Sequence, residues 1–129
     1  MIELASDLGG GKTTFVQGLA AGLGYAGEVT SPTFTLGRVY KIRPGLEVHH
    51  YDLYRLNEGG IVGDEVSEGL EDPEIVTVIE WADVARHDLP ADRLIIRFEL
   101  AGDEARKLKF SAGGPKSRHL LSALKEARA

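Results

Sequence analysis

A run of ten residues near the start of the chain, "SDLGGGKTTF" at 6–15, has the residue types of a phosphate-binding loop. Its glycines allow consecutive backbone N–H groups to converge on an anion at the start of a helix. In such a loop the Lys12 ammonium reaches the β- and γ-phosphates, and the Thr13 hydroxyl is a ligand of Mg²⁺. The predicted cofactor-binding residues are Gly9, Gly10, Gly11, Lys12, Thr13 and Thr14.

One position departs from the usual pattern of these loops. Ser6 stands where G-x-x-x-x-G-K-[ST] has its first glycine. The departure weakens the match only modestly, because the later part of the loop surrounds the phosphates. The alternative to a nucleotide site is a glycine turn with a surface lysine, and the predicted strand–loop–helix context argues against it.

Two carboxylates end hydrophobic runs and are candidates for the metal side of the site. Glu80 ends "IVTVIE", and Asp52 ends "LEVHHYD". Ligands of open α/β sheets bind outside the carboxyl ends of the strands, which is where both side chains are predicted to lie. We therefore predict that Glu80 is catalytic and ligates the metal, and that Asp52 is catalytic. The alternative for each is a carboxylate that ends a strand and faces solvent.

Two other features bear on ligand choice. His49 and His50 are adjacent, so on a strand they point to opposite faces and are poorly placed to share one metal ion. Guanine-specific GTPases of this class read the base with N-K-x-D. The single asparagine of this chain, Asn57, is followed by glutamate, so GTP is disfavoured.

The sequence around the loop predicts one α/β domain over residues 1–129. "MIELAS" is a short strand that leads into the loop, and a helix follows from Thr13 to Leu23. Residues 33–42 and 46–53 are predicted to form an antiparallel hairpin around the turn at 43–45. The uninterrupted apolar run at 75–81 is typical of a strand buried on both faces. A second hairpin is predicted at 92–112, followed by a helix at 115–128 with Leu120, Leu121 and Leu124 facing the core.

Composition excludes several classes of protein. The 129 residues include no cysteine, which excludes disulfides and thiolate metal sites and favours a cytoplasmic location. The opening residues have no basic region, so we expect no secretory signal, and no apolar run is long enough to span a membrane. A net charge of −5 disfavours tight unaided binding to nucleic acid, including DNA.

Four motifs together resemble the TsaE (formerly YjeE) family of P-loop ATPases. They are "SDLGGGKTTFVQGLAAGLG", "VTSPTFTL", "HHYDLYRL" and "VIEW", in that order along the chain. The resemblance implies a P-loop NTPase-like three-layer fold with a mixed central sheet and antiparallel hairpins. It also implies binding of ATP and Mg²⁺ and a Mg-dependent ATPase activity that is weak without partner proteins.

The family resemblance also implies a partner and residue roles. The partner would be the two-protein threonylcarbamoyltransferase complex that modifies the adenosine next to the tRNA anticodon, so tRNA is met only through that complex. Thr33 would sense the γ-phosphate or its Mg²⁺. Glu80 would be the metal-associated glutamate, and Trp81 comes directly after it, as in relatives. Relatives begin with a further helix and strand, so we expect a fold shortened at its N-terminus.

Several alternatives stay open at this stage. A small-molecule kinase is one, although such enzymes usually have an arginine-rich lid, and this chain has no arginine cluster. A non-catalytic module that binds nucleotide poorly is another. The acidic residues in the segment 64–74 form either a solvated face or a docking surface for a basic partner.

Overall fold

Six strands and two helices occur in the part of the chain that the computed structural model describes. That part comprises residues 1–5, 11–27, 37–52, 69–70, 72–80, 89–102 and 105–128. The elements are β1 (Ile2–Ala5), α1 (Lys12–Gly22), β2 (Gly37–Arg43), β3 (Leu46–Asp52), β4 (Ile75–Glu80), β5 (Leu94–Leu100), β6 (Arg106–Ala112) and α2 (Pro115–Arg128).

The strands form one mixed sheet in the order β2-β3-β4-β1-β5-β6. The four central strands are parallel, since β1 pairs with β4 and β5, and β3 pairs with β4. Each edge strand is antiparallel to its neighbour, β2 to β3 and β6 to β5. Because parallel strands share a direction, the carboxyl ends of β1, β3 and β4 lie at one edge of the sheet.

This architecture confirms the predicted α/β fold with a mixed sheet. Both antiparallel hairpins and both helices form where the sequence placed them, and the starting residues of the first predicted hairpin, 33–36, lie outside the described part. Strand β4 is buried on both faces, as its apolar run predicted. Thr77 and Ile79 are buried on one side of the sheet, and Val78 and Glu80 on the other.

The core lies between α1 and the central strands. Val16 and Ala20 of α1 are fully buried. They form one cluster with buried apolar side chains of β1, β2, β3, β4 and β5, and a partly buried side chain of β6 packs against it. Phe15 meets Phe98 of β5 edge-to-face, with ring centroids 5.9 Å apart. Burial of this apolar face holds α1 against the sheet.

One expectation about α2 is wrong. Leu121 packs against the core, but Leu120 and Leu124 are 47% and 36% exposed. The helix packs on β5 and β6, at the rim of the sheet. Leu120 and Leu124 line an apolar cavity of about 430 Å³ between the two helices, instead of closing onto the sheet. Among the described helices, none is both long enough and apolar enough to cross a membrane.

Candidate functional site: a helix N-terminus beside buried charges

The first turn of α1 provides backbone donors at the edge of the sheet. Gly11 precedes the helix with φ 93°, a left-handed conformation that glycine adopts without the strain of a Cβ atom. No side chain among the described residues caps this end of the helix. The first N–H groups of any helix lack acceptors within the helix, and the helix dipole favours negative charge there. The geometry is that of an anion site.

Lys12 is the first residue of α1, and its ammonium is directed towards Glu80. The residue is 7% exposed, and Nζ lies 3.8 Å from Oε1 of Glu80, which is itself 3% exposed. The parallel pairing of β1 with β4 aligns Leu4 with Glu80, so both strands end at the same edge of the sheet. Two opposite charges are therefore buried together at the carboxyl edge of the sheet.

Sequence reasoning missed His50. Its side chain is completely buried, and Nε2 lies 2.7 Å from Oε2 of Glu80. An ionised carboxylate only accepts hydrogen bonds, so Nε2 carries the proton and donates it. Parallel pairing aligns the backbone of Asp52 with Glu80, and His50 lies two residues earlier on β3, aligned with Val78. The sequence offered one signal for His50: in a strand, a residue two positions before the predicted Asp52 lies on the same face as the end of that strand's predicted site.

The adjacent histidine has a different environment, as the alternation of a strand requires. Nε2 of His49 lies 2.9 Å from the Glu47 carboxylate, and its Nδ1 lies 3.4 Å from the hydroxyl of Tyr51. These three side chains lie on the sheet face opposite the one that carries His50. The prediction that the two histidines point apart is confirmed.

The structure brings together only part of the predicted site. Lys12 and Glu80 are in contact distance, and Thr13 is half-buried in the first turn of α1 while Thr14 is exposed. The backbone of Asp52 is in register with Glu80. The predicted residues Gly9, Gly10 and Thr33, together with Ser6 and Trp81, lie outside the described residues.

The donor set fits Mg²⁺ bound together with a phosphate. No group of three or more histidines, acidic residues or cysteines is placed to hold a metal within the described ranges. Mg²⁺ needs no such group, because it retains several waters and binds through one or two carboxylates plus substrate phosphates. Glu80 and the Thr13 hydroxyl, at a helix N-terminus that no described side chain caps, are of the required kind.

The fold and this site together define the P-loop NTPase-like class of α/β proteins. Residues 1–108 match the family model "Threonylcarbamoyl adenosine biosynthesis protein TsaE". The chain belongs to the TsaE family.

Individual relatives agree with this membership. The tRNA threonylcarbamoyladenosine biosynthesis protein TsaE of Bacillus subtilis is 39% identical over 126 residues, which is 96% of this chain and 77% of that protein. The protein of the same name from Haemophilus influenzae is 32% identical over 95% of this chain and 77% of its own length. The crystal structure of Bacillus subtilis YdiB superposes with a TM-score of 0.77 at 34% identity, covering 99% of this chain and 78% of YdiB.

Proposed function

We propose that this chain is the ATP-binding and ATP-hydrolysing subunit of the machinery that makes threonylcarbamoyladenosine in tRNA. The observation that carries the proposal is the buried pair of Lys12 and Glu80 at the N-terminus of α1, which no described side chain caps. The relatives are named as tRNA threonylcarbamoyladenosine biosynthesis proteins, which supports the pathway. The proposal places the chain in the cytoplasm, where tRNA is modified.

The residues of the site have distinct parts in this proposal. Backbone N–H groups at the start of α1 and the Lys12 ammonium bind the phosphates and neutralise their charge. The Thr13 hydroxyl and Glu80 would hold Mg²⁺, which when bound stabilises the negative charge that develops on the transferred phosphoryl group. Glu80 also orients the attacking water, and it can do so because β4 holds its backbone rigidly in the centre of the sheet.

Two further residues complete the proposal. Asp52 would act as a second carboxylate beside Glu80, since the paired strands β3 and β4 end at these two residues. Thr33 would report whether the γ-phosphate is present. The expected partner is the two-protein tRNA threonylcarbamoyltransferase complex, which would hold the tRNA and stimulate a hydrolysis that is weak in the chain alone.

The proposal is tested by ATP hydrolysis with and without the two partner proteins. We expect slow turnover by the chain alone and faster turnover when both partners are added. A small-molecule kinase would instead consume ATP in proportion to an added acceptor and be indifferent to the partners. A non-catalytic module would consume none under any condition, and either result would contradict the proposal.

A further inference from the structure

The two oxygens of the Glu80 carboxylate have different partners. Oε1 lies 3.8 Å from Nζ of Lys12, and Oε2 lies 2.7 Å from Nε2 of His50. The first distance is that of a loose ion pair, and the second is that of a strong hydrogen bond to a charged acceptor. The carboxylate is therefore held mainly from the side of β3.

This asymmetry has a consequence when a phosphate is bound. In the proposed function the Lys12 ammonium turns towards the bound phosphates. The phosphates then compete with Glu80 for its positive charge, so the ion pair with Glu80 weakens. The His50 contact does not involve Lys12, because His50 is completely buried and bonds the other carboxylate oxygen. It keeps Oε2 occupied and leaves Oε1 directed towards the first turn of α1.

The environment of His50 indicates that the hydrogen bond, and not packing, is what the side chain supplies. Its Nδ1 is buried and has no hydrogen-bond partner within the described residues. An unpaired polar atom in the interior is unfavourable, and an apolar side chain of similar volume would avoid it. The contact with Glu80 compensates for that cost.

We propose that His50 is a positioning residue for Glu80. By donating from Nε2 to Oε2, it fixes the orientation of the carboxylate so that the other oxygen faces the metal and the attacking water. This inference rests on the proposed ATPase function and adds to it a residue that touches neither nucleotide nor metal. Substitution of residues that orient metal ligands in this way typically costs about 10–100-fold in metal affinity or activity.

The test compares three variants of the full-length chain. His50→Leu keeps much of the volume and removes the donor, whereas His50→Gln retains a side-chain N–H of similar reach. His49→Leu is the matched control, since it removes the neighbouring imidazole on the opposite face of the same strand. ATP turnover with the partner proteins, affinity for Mg-ATP and urea unfolding of the ligand-free protein are measured for each. Both His50 variants are also combined with Glu80→Gln.

We expect His50→Leu to lower turnover about tenfold to a hundredfold while affinity for Mg-ATP changes much less. His50→Gln should recover a large part of the lost turnover, and His49→Leu should leave turnover unchanged. In the Glu80→Gln background, His50→Leu should have little further effect on turnover. In the ligand-free protein, the shifts of the unfolding midpoint should be non-additive, because both substitutions alter one contact.

If the wild-type chain hydrolyses ATP with its partners, two results would overturn the inference about His50 and leave the proposed function standing. One is that His50→Gln is no more active than His50→Leu. The other is that His50→Leu lowers turnover by the same factor with and without Glu80→Gln. A wild-type chain that hydrolyses no ATP with its partners would instead overturn the proposed function, and this inference with it.

Discussion

Helices α1 and α2 begin with the same chemical requirement, a first turn of N–H groups that have no acceptor inside the helix, and the two ends meet it differently. At α2 the Asp92 carboxylate accepts from the backbone N–H of Lys116 at 3.0 Å and of Ser117 at 2.9 Å. The Ser117 hydroxyl donates to the same carboxylate at 2.6 Å. At α1 the residue before the helix is Gly11, and no described side chain caps it.

In the proposed function, the difference separates a structural helix end from a functional one. The N-terminus of α2 is capped by the protein's own Asp92 carboxylate, which contributes to folding. At the N-terminus of α1 no described side chain supplies such an anion, and the buried Lys12 lies beside it. A helix end of that kind is suited to binding an external anion. Four predictions test this contrast.

The largest expected effect is on turnover, in Glu80→Gln. The substitution preserves shape and removes the charge that is proposed to orient metal and water, so turnover should fall about a hundredfold or more, while nucleotide affinity falls far less. Steady-state hydrolysis with the partner proteins and calorimetric titration measure the two quantities. Glu47→Gln is the matched control, because Glu47 also contacts a histidine of β3 but on the opposite face. Equal losses of affinity and turnover in Glu80→Gln would remove Glu80 from catalysis.

The next largest effect is on nucleotide affinity, in Lys12→Ala. A charge-assisted contact with phosphate contributes roughly 1.5–3 kcal/mol, so affinity for Mg-ATP should fall at least tenfold. Lys116→Ala is the control, since Lys116 lies in the first turn of α2, where Asp92 already caps the helix. Calorimetric titration should find its affinity unchanged. If both variants bind Mg-ATP as the wild type does, the phosphate-site assignment is wrong.

A smaller effect is expected for alanine at the two ends of α1. Gly11 and Gly24 both have positive φ, 93° and 103°, with nothing within 4 Å of an added Cβ atom. Each alanine should lower the free energy of unfolding by about 1–2 kcal/mol through backbone strain alone. Only Gly11→Ala should also weaken Mg-ATP binding, because only Gly11 precedes the anion site. Chemical unfolding and titration with Mg-ATP of both variants check this. If Gly11→Ala and Gly24→Ala bind Mg-ATP with equal affinity, the conformation of Gly11 has no role in binding.

The smallest effect is on stability, in Asp92→Asn, and it depends on acidic pH. Hydrogen bonds from the side chain and then the backbone of Ser117 lower the pKa of Asp92 to about 2 from its usual 3.8. A lowered folded-state pKa stabilises the protein above pH 4, and this contribution is lost as the pH falls through about 2. Asp92→Asn should lack that part of the pH dependence and retain wild-type affinity for Mg-ATP at pH 7. Urea unfolding between about pH 2 and 7 measures the free energy of unfolding of both proteins as a function of pH. Parallel curves for the wild type and Asp92→Asn would contradict the prediction.

Sequence patterns predicted the elements that depend on local order. The uninterrupted run that ends in Glu80 identified a strand buried on both faces, and the strand–loop–helix order identified the start of α1. Because parallel strands end at one edge, the pairing of Lys12 with Glu80 was also accessible. These features follow from residues that are close in sequence, or from a general rule for such sheets.

The features that the sequence left open depend on how elements are arranged in space. Alternation on β3 separates His49 from His50, but which of them faces Glu80 is decided by the strand order, which puts β3 beside β4, and by their register, which aligns His50 with Val78. The exposure of Leu120 depends on the gap between α1 and α2. Neither the strand order nor the helix separation is encoded in the period of a single element.

The most direct test of the central claim is to follow the backbone amide signals of both helix ends by NMR while Mg-ATP is added. Direct coordination of the phosphates by backbone N–H groups predicts the largest shifts at Gly11, Lys12 and Thr13, with the signals of Lys116 and Ser117 unchanged. Shifts that are absent at the start of α1, or that are as large at the start of α2, would contradict the account.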